Sequence, residues 1–195
     1  MQVREATRIA ITKVLADADA REAHFVERTN SHIDLVQRAA KKIAERFAEF
    51  KPLLEAAAKH DASKFQEPER GPYIDLTWQH KHDNFKSYKT PGTLPDDAIN
   101  EATLHHIVNN EHHPEFWNPE KANLDPENRD KSVRVIDVSK MPPLAIAEMV
   151  ADWQAMSEEL KKNTAREWYD SQKDVRWRFS PGQDALIGKL LVVFE

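Results

Sequence analysis

The sequence predicts an all-α protein built as a bundle of helices. Alanine, glutamate, lysine and leucine, all strong helix formers, are common. Glycine occurs only four times in 195 residues, too few for the turns of an all-β protein or of a nucleotide-cradling α/β fold. Apolar residues also recur at three- and four-residue spacing along most of the chain, the period of a helix with one buried face.

Taken in order, residues 3–20 carry Ile9, Ile11, Val14, Leu15 and Ala18 on a helical stripe and read as an extension packed on the main body. Residues 22–50 read as one long amphipathic helix or two short ones, through Ile33, Val36, Ala40, Ile43, Ala44 and Phe47, with Asn30 or Ser31 as a candidate cap. Pro52 suits the first turn of a helix that carries Leu53, Leu54, Ala57 and His60. Pro68, Gly71 and Pro72 mark a loop, and Tyr73 to Tyr88 reads as an aromatic-rich helix. After the turn at residues 90–95, Asp96 or Asp97 starts a helix that Pro114 must stop, because the residue before proline avoids helical geometry. Residues 117–140 are polar and irregular, with a short strand expected at Val133 to Val138. A strong helix follows Pro142-Pro143 to about Lys162, and a last helix, or helix and strand, covers 183–194.

Hydrophobic content of 40% and charged content of 31% exclude global disorder. The net charge of −5 argues against a large basic surface for nucleic acid. With no cysteine, disulfides, thiolate metal sites and cysteine nucleophiles are excluded. No run of about 18 apolar residues occurs, and no signal-peptide core is seen at the N-terminus. The expectation is a cytoplasmic protein with a single domain over 1–195, its N-terminal extension at 1–21 and its functional core at about 30–160.

Eight of the nine histidines fall between His32 and His113, a concentration that ordinary surface positions do not produce. His60-Asp61 offers imidazole and carboxylate side by side, good ligands for manganese, iron, cobalt, nickel or zinc. Asp152 lies on the helical face formed by Ala145, Met149, Met156 and Leu160, where an ionised carboxylate needs a partner. His32 sits on the apolar side of its helix. His105-His106 and His112-His113 place four histidines in nine residues. On one unbroken helix the pairs would stand about 10.5 Å apart in rise, so a reversal at Asn109-Asn110 is needed to bring them together. His106 shares its face with Ile99, Ala102 and Thr103, and His113 precedes Pro114 at an extended bend. These two are the favoured members, with His105 and His112 as the alternatives. His80 and His82 lie in a polar stretch and are weaker candidates.

The order His32, His60-Asp61, His105/His106, His112/His113, Asp152 resembles the HD-domain superfamily, whose pattern H…HD…H…H…D lies on a bundle of helices. The resemblance implies that His32, His60, Asp61 and Asp152 hold one metal ion and that the intervening histidines hold a second, bridged by Asp61. His60-Asp61-Ala62-Ser63-Lys64-Phe65 is similar to the HD-x-x-K variant, in which the lysine helps to bind phosphate. Together with the His-His-Pro-Glu block ending at Glu115 and the block Glu148 to Trp153, it also resembles an uncharacterised bacterial and phage family. The implied activity is metal-dependent hydrolysis of a nucleotide or similar small phosphoester, with Asp61 and Lys64 as catalytic residues and one or two divalent transition-metal ions. A di-iron oxygenase and a non-catalytic metal-binding accessory protein are the alternatives. The expected partner is a small phosphorylated substrate, with no membrane or nucleic acid; a homodimer stays open.

Overall fold

No glycine or proline precedes Pro52, so nothing in the backbone chemistry interrupts a helix there. In the computed structural model, which describes residues 2–83, 96–118 and 135–195, the chain accordingly runs one helix, α1, from Gln2 to Arg46. At 1.5 Å per residue it is about 67 Å long. The break considered at Asn30-Ser31 does not occur. The buried stripe Phe25, Thr29, His32, Val36, Ala39, Ala40 and Ile43 passes through that point without a phase change, and Asn30 and Ser31 face solvent. Within the N-terminal stretch, residues 15–20 are exposed, and Arg21 pairs with Asp75 at 3.2 Å.

Six further helices follow among the described residues: α2 (Leu53–Ala58), α3 (Arg70–Asp83), α4 (Asp96–Asn109), α5 (Pro143–Leu160), α6 (Ala165–Gln172) and α7 (Pro181–Leu191). Single 3-10 turns cover Ala48–Phe50, Ala62–Phe65, Pro114–Trp117 and Val192–Phe194. The architecture is therefore all-α, as the composition and periodicity predict. The expected turn at residues 90–95, the end of the helix expected to reach Tyr88, and residues 119–134 lie outside the described residues.

Two strands of two residues each, β1 (Ile136–Asp137) and β2 (Trp177–Arg178), pair in parallel. Gln183 fastens this ribbon by donating to the carbonyls of Val138 (3.0 Å) and Met141 (2.8 Å). Two helix starts in this region carry reciprocal capping boxes, Thr164 with Glu167 before α6 and Ser180 with Gln183 before α7. Each satisfies backbone N–H groups that would otherwise lack partners.

The core is organised around α1 and α5. Val36, Ala39, Ala40 and Ile43 of α1 join Ala145, Ile146, Ala147, Met149, Val150 and Ala151 of α5 in one apolar cluster with Leu53, Ala57, Ile187 and Leu190. Each fully buried valine, leucine or isoleucine here contributes about 1.5–3 kcal/mol. The alanines on both helices keep the interface thin, so polar groups at its end lie close together. Trp177 stacks on Trp153 with ring centroids 5.9 Å apart, which joins the β ribbon to the same core. No helix among the described residues is long and apolar enough to cross a membrane.

Candidate metal centre

His32 on α1 and Asp152 on α5 meet because the α1–α5 interface fixes both. His32 Nε2 lies 3.0 Å from Asp152 Oδ1 and 3.9 Å from Asp61 Oδ2. The half-buried carboxylate on the apolar face of α5 thus has a histidine partner. His60 and Asp61 arrive from the end of α2. Adjacent helical residues point about 100° apart, but here the helix has already ended, and Asp61 adopts left-handed backbone geometry at φ 58°, ψ 15°. Aspartate tolerates that region better than most residues. The residual strain, on the order of 1–3 kcal/mol, is the local cost of aiming neighbouring side chains at one point. His60 Nε2 lies 3.7 Å from both Asp61 Oδ1 and Asp152 Oδ1.

The second pair of histidines is folded back by the end of α4. Asn110 leaves the helix and caps it, its side chain donating to the His106 carbonyl at 2.8 Å. The turn over residues 111–113 then carries His112 and His113 alongside His106, with ring centroids 5.9 and 4.8 Å from it. Pro114 opens the next 3-10 turn. His106 Nε2 lies 3.1 Å and His112 Nε2 3.8 Å from Asp61 Oδ1.

Asp61 consequently stands between two sets of donors. His32, His60 and Asp61 form one group able to hold a metal ion, and His106, His112 and His113 form another. His105 is placed differently: it is 40% exposed and turns Nδ1 to Glu69 at 2.7 Å. Both His112 and His113 face the centre, so that pair is not divided as the favoured reading of His113 anticipates. His82 packs on Trp78 at 4.9 Å, and neither it nor His80 belongs to these groups.

The polar atoms left without partners favour a cation. His60 Nε2, Asp61 Oδ1 and His113 Nε2 are buried and accept or donate no hydrogen bond among the described residues. Unsatisfied buried groups of this kind are rare and costly. Imidazole nitrogens and carboxylate oxygens in one pocket suit a divalent transition metal. The buried histidine and aspartate groups could therefore hold a metal ion.

Electrostatics within the cluster are polarised. Burial works against ionising Asp61, but Lys64, His60 and His106 outweigh it and hold its carboxyl well below the usual range. Asp152 is likewise held low against burial by His32 and His60. Burial would lower the His60 pKa, yet Asp61, Asp152 and Glu148 lift it to about 10. His112 and His113 go the other way. Burial and neighbouring histidines keep both imidazoles well below their ordinary pKa, hence neutral and with nitrogen lone pairs available.

Lys64, on the turn after Asp61, places its ammonium 2.5 Å from Asp61 Oδ2 and 5.2 Å over the Tyr73 ring. Burial opposes its charge, but Asp61 prevails and its pKa is raised. Its side chain remains one-fifth exposed, which puts it at the rim.

Three glutamates were missed from sequence. Glu148 lies 3.0 Å from His60 Nδ1, Glu69 lies 2.9 Å from His106 Nδ1, and Glu159 lies 3.4 Å from His32 Nδ1. Glu148 and Glu159 stand one and two helical turns from Asp152, a spacing that could have exposed them. Glu69 sits in Gln66-Glu67-Pro68-Glu69-Arg70, which reads as a solvated loop, although its side chain is wholly buried. Glu115 of the His-His-Pro-Glu block is also buried, accepting from Arg176 at 2.9 Å and Trp177 Nε1 at 3.0 Å. This clamp holds the histidine-bearing turn against β2.

No curated protein and no solved structure matches the chain. One family profile does, over residues 21–192, a span that takes in every residue of the centre; the chain belongs to the family of unknown function DUF5662.

Proposed function

We propose that the chain is a metal-dependent phosphohydrolase acting on a nucleotide or similar small phosphoester, in line with the HD-type order of its histidines and aspartates. The observation that carries this reading is a cationic side chain at the rim of a buried histidine–aspartate cluster: Lys64, 2.5 Å from Asp61. A divalent cation in such a cluster supplies Lewis acidity and a nucleophilic water at neutral pH. His32, His60, Asp61 and Asp152 would hold one ion, and His106, His112 and His113, with Asp61, a second. The Lys64 ammonium, on a flexible stem, neutralises substrate phosphate without demanding bidentate geometry. Burial raises the Tyr73 phenol to about 12 even beside Lys64, so it stays protonated and can donate to a phosphate oxygen. The lack of cysteine fits a cytoplasmic setting.

The test is a screen of phosphorylated small molecules with manganese, cobalt or nickel added. Lys64→Ala should leave metal content unchanged and lower kcat/KM by about tenfold or more, the loss of a charge-assisted contact. Failure to hydrolyse any phosphoester with any of these metals overturns the reading. The histidine-rich donor set favours, as a second reading, oxygen activation at a di-iron centre. Iron that co-purifies and gives an optical band sensitive to reduction would support it.

A further inference from the structure

Four of the five histidines of the centre have a carboxylate on their outward side. His60 Nδ1 is hydrogen-bonded to Glu148 Oε1 at 3.0 Å and His106 Nδ1 to Glu69 Oε2 at 2.9 Å, while His32 Nδ1 faces Glu159 Oε2 at 3.4 Å without a hydrogen bond. His112 Nδ1 also faces Glu148 Oε1, at 3.6 Å. In all four rings it is Nε2 that points at Asp61, at 3.1 to 3.9 Å. A carboxylate on Nδ1 fixes the ring's orientation, keeps the proton on that nitrogen and raises the basicity of the other.

Glu148 differs from the other two glutamates. Glu159 reaches a histidine of the His32–His60–Asp61 group, and Glu69 reaches His106 of the other group, with His105 as its second contact. Glu148 alone of the three lies beside both groups: it is hydrogen-bonded to His60 and lies 3.6 Å from Nδ1 of His112, and the two rings are 4.2 Å apart. Its place on α5, one turn before Asp152, ties it to the most buried helix of the core.

We propose that Glu148 is a positioning residue for the whole centre, an outer carboxylate that orients one ligand histidine in each donor group, while Glu159 and Glu69 each orient one group only. The proposal rests on the metal-holding part of the function proposed above and is independent of the hydrolytic step. It gives the centre two shared carboxylates: Asp61 inside, among the Nε2 atoms, and Glu148 outside, among the Nδ1 atoms.

The experiment is titration of the metal-free protein with Mn²⁺ by calorimetry, comparing wild type with Glu148→Gln, Glu159→Gln and Glu69→Gln. Glutamine keeps the size and an acceptor oxygen while removing the charge. Glu148→Gln should weaken every Mn²⁺ binding step seen in wild type by roughly 10–100-fold, the usual effect of losing such a partner. The other two variants should each weaken one step. At saturating Co²⁺ the visible bands of Glu148→Gln should be shifted from wild type, a change that a purely structural role would not produce; unfolded variants are identified by their circular dichroism.

Mn²⁺ affinity in folded Glu148→Gln within twofold of wild type overturns the proposal. So does the complete loss of one ion at saturation, which would make Glu148 a ligand, through the group it forms with His60 and His112. A wild type that binds no Mn²⁺ overturns it together with the centre. Full Mn²⁺ binding without phosphoester turnover overturns only the hydrolysis.

Discussion

His32 and Asp152 reach the centre on long helices whose neighbouring residues are the core itself, whereas His112 and His113 reach it on a turn held by side-chain clamps. In the first half, Val36 and Met149 beside the donors are fully or almost fully buried, so the geometry of the donors is the geometry of the fold. In the second half, the backbone is placed by Asn110 capping α4 and by Glu115 bonding Arg176 and Trp177. A donor on a packed helix cannot shift without disturbing apolar burial. A donor on a clamped turn depends on a few polar contacts. The two halves should therefore respond differently to substitution.

The largest effect is expected where the halves meet. Asp61→Ala removes the carboxylate that stands between the two groups, and metal affinity should fall by more than the roughly 10–100-fold typical of an outer partner. Elemental analysis after dialysis reads this directly; retained metal in Asp61→Ala would break the picture of a shared centre. Next comes the contrast between His32→Ala and His113→Ala in metal-free protein. His32→Ala leaves Asp152 without its 3.0 Å partner and should cost on the order of 3 kcal/mol, whereas His113→Ala should cost no more than about 1 kcal/mol. Both should impair metal uptake. Equal losses in urea unfolding would show that the helix-borne half is no more committed to the fold than the turn.

Glu115→Gln sharpens the comparison from the other side. It weakens the charge-assisted clamp to Arg176, an interaction worth about 1.5–3 kcal/mol, and should loosen metal binding at the histidine turn while sparing the His32 half. Loss of both halves together would mean that they are coupled through more than Asp61 and Glu148. The smallest effect is expected of Thr164→Ala. It removes the α6 cap for about 1 kcal/mol, lowers the thermal midpoint slightly and leaves metal content as in wild type.

The same contrast explains what could be read from sequence. α5 is legible because Pro142-Pro143 mark its start and its apolar run is unbroken. The reversal after His106 is legible because two histidine pairs seven residues apart need it. The continuity of α1 past Asn30 and Ser31 was obscured by residues that favour caps; their outward placement leaves the buried stripe intact. The helix α6 went unread although Thr164-Ala165-Arg166-Glu167 has the capping-box spacing. Glu69 was beyond reach for a different reason. Its partners, His105 and His106, lie 36 and 37 residues away in sequence, and no local pattern announces a pairing made only by the packing of separate elements.

The Lys64–Asp61 pair has a consequence for how the cluster holds its charge. A buried carboxylate cluster normally resists folding until a counter-ion arrives, but here the chain carries its own, tethered three residues from Asp61. The Asp61 charge is thus balanced within the chain itself. The lysine acts in this way as a built-in counter-ion, which lets a carboxylate stay buried and charged in the middle of the cluster.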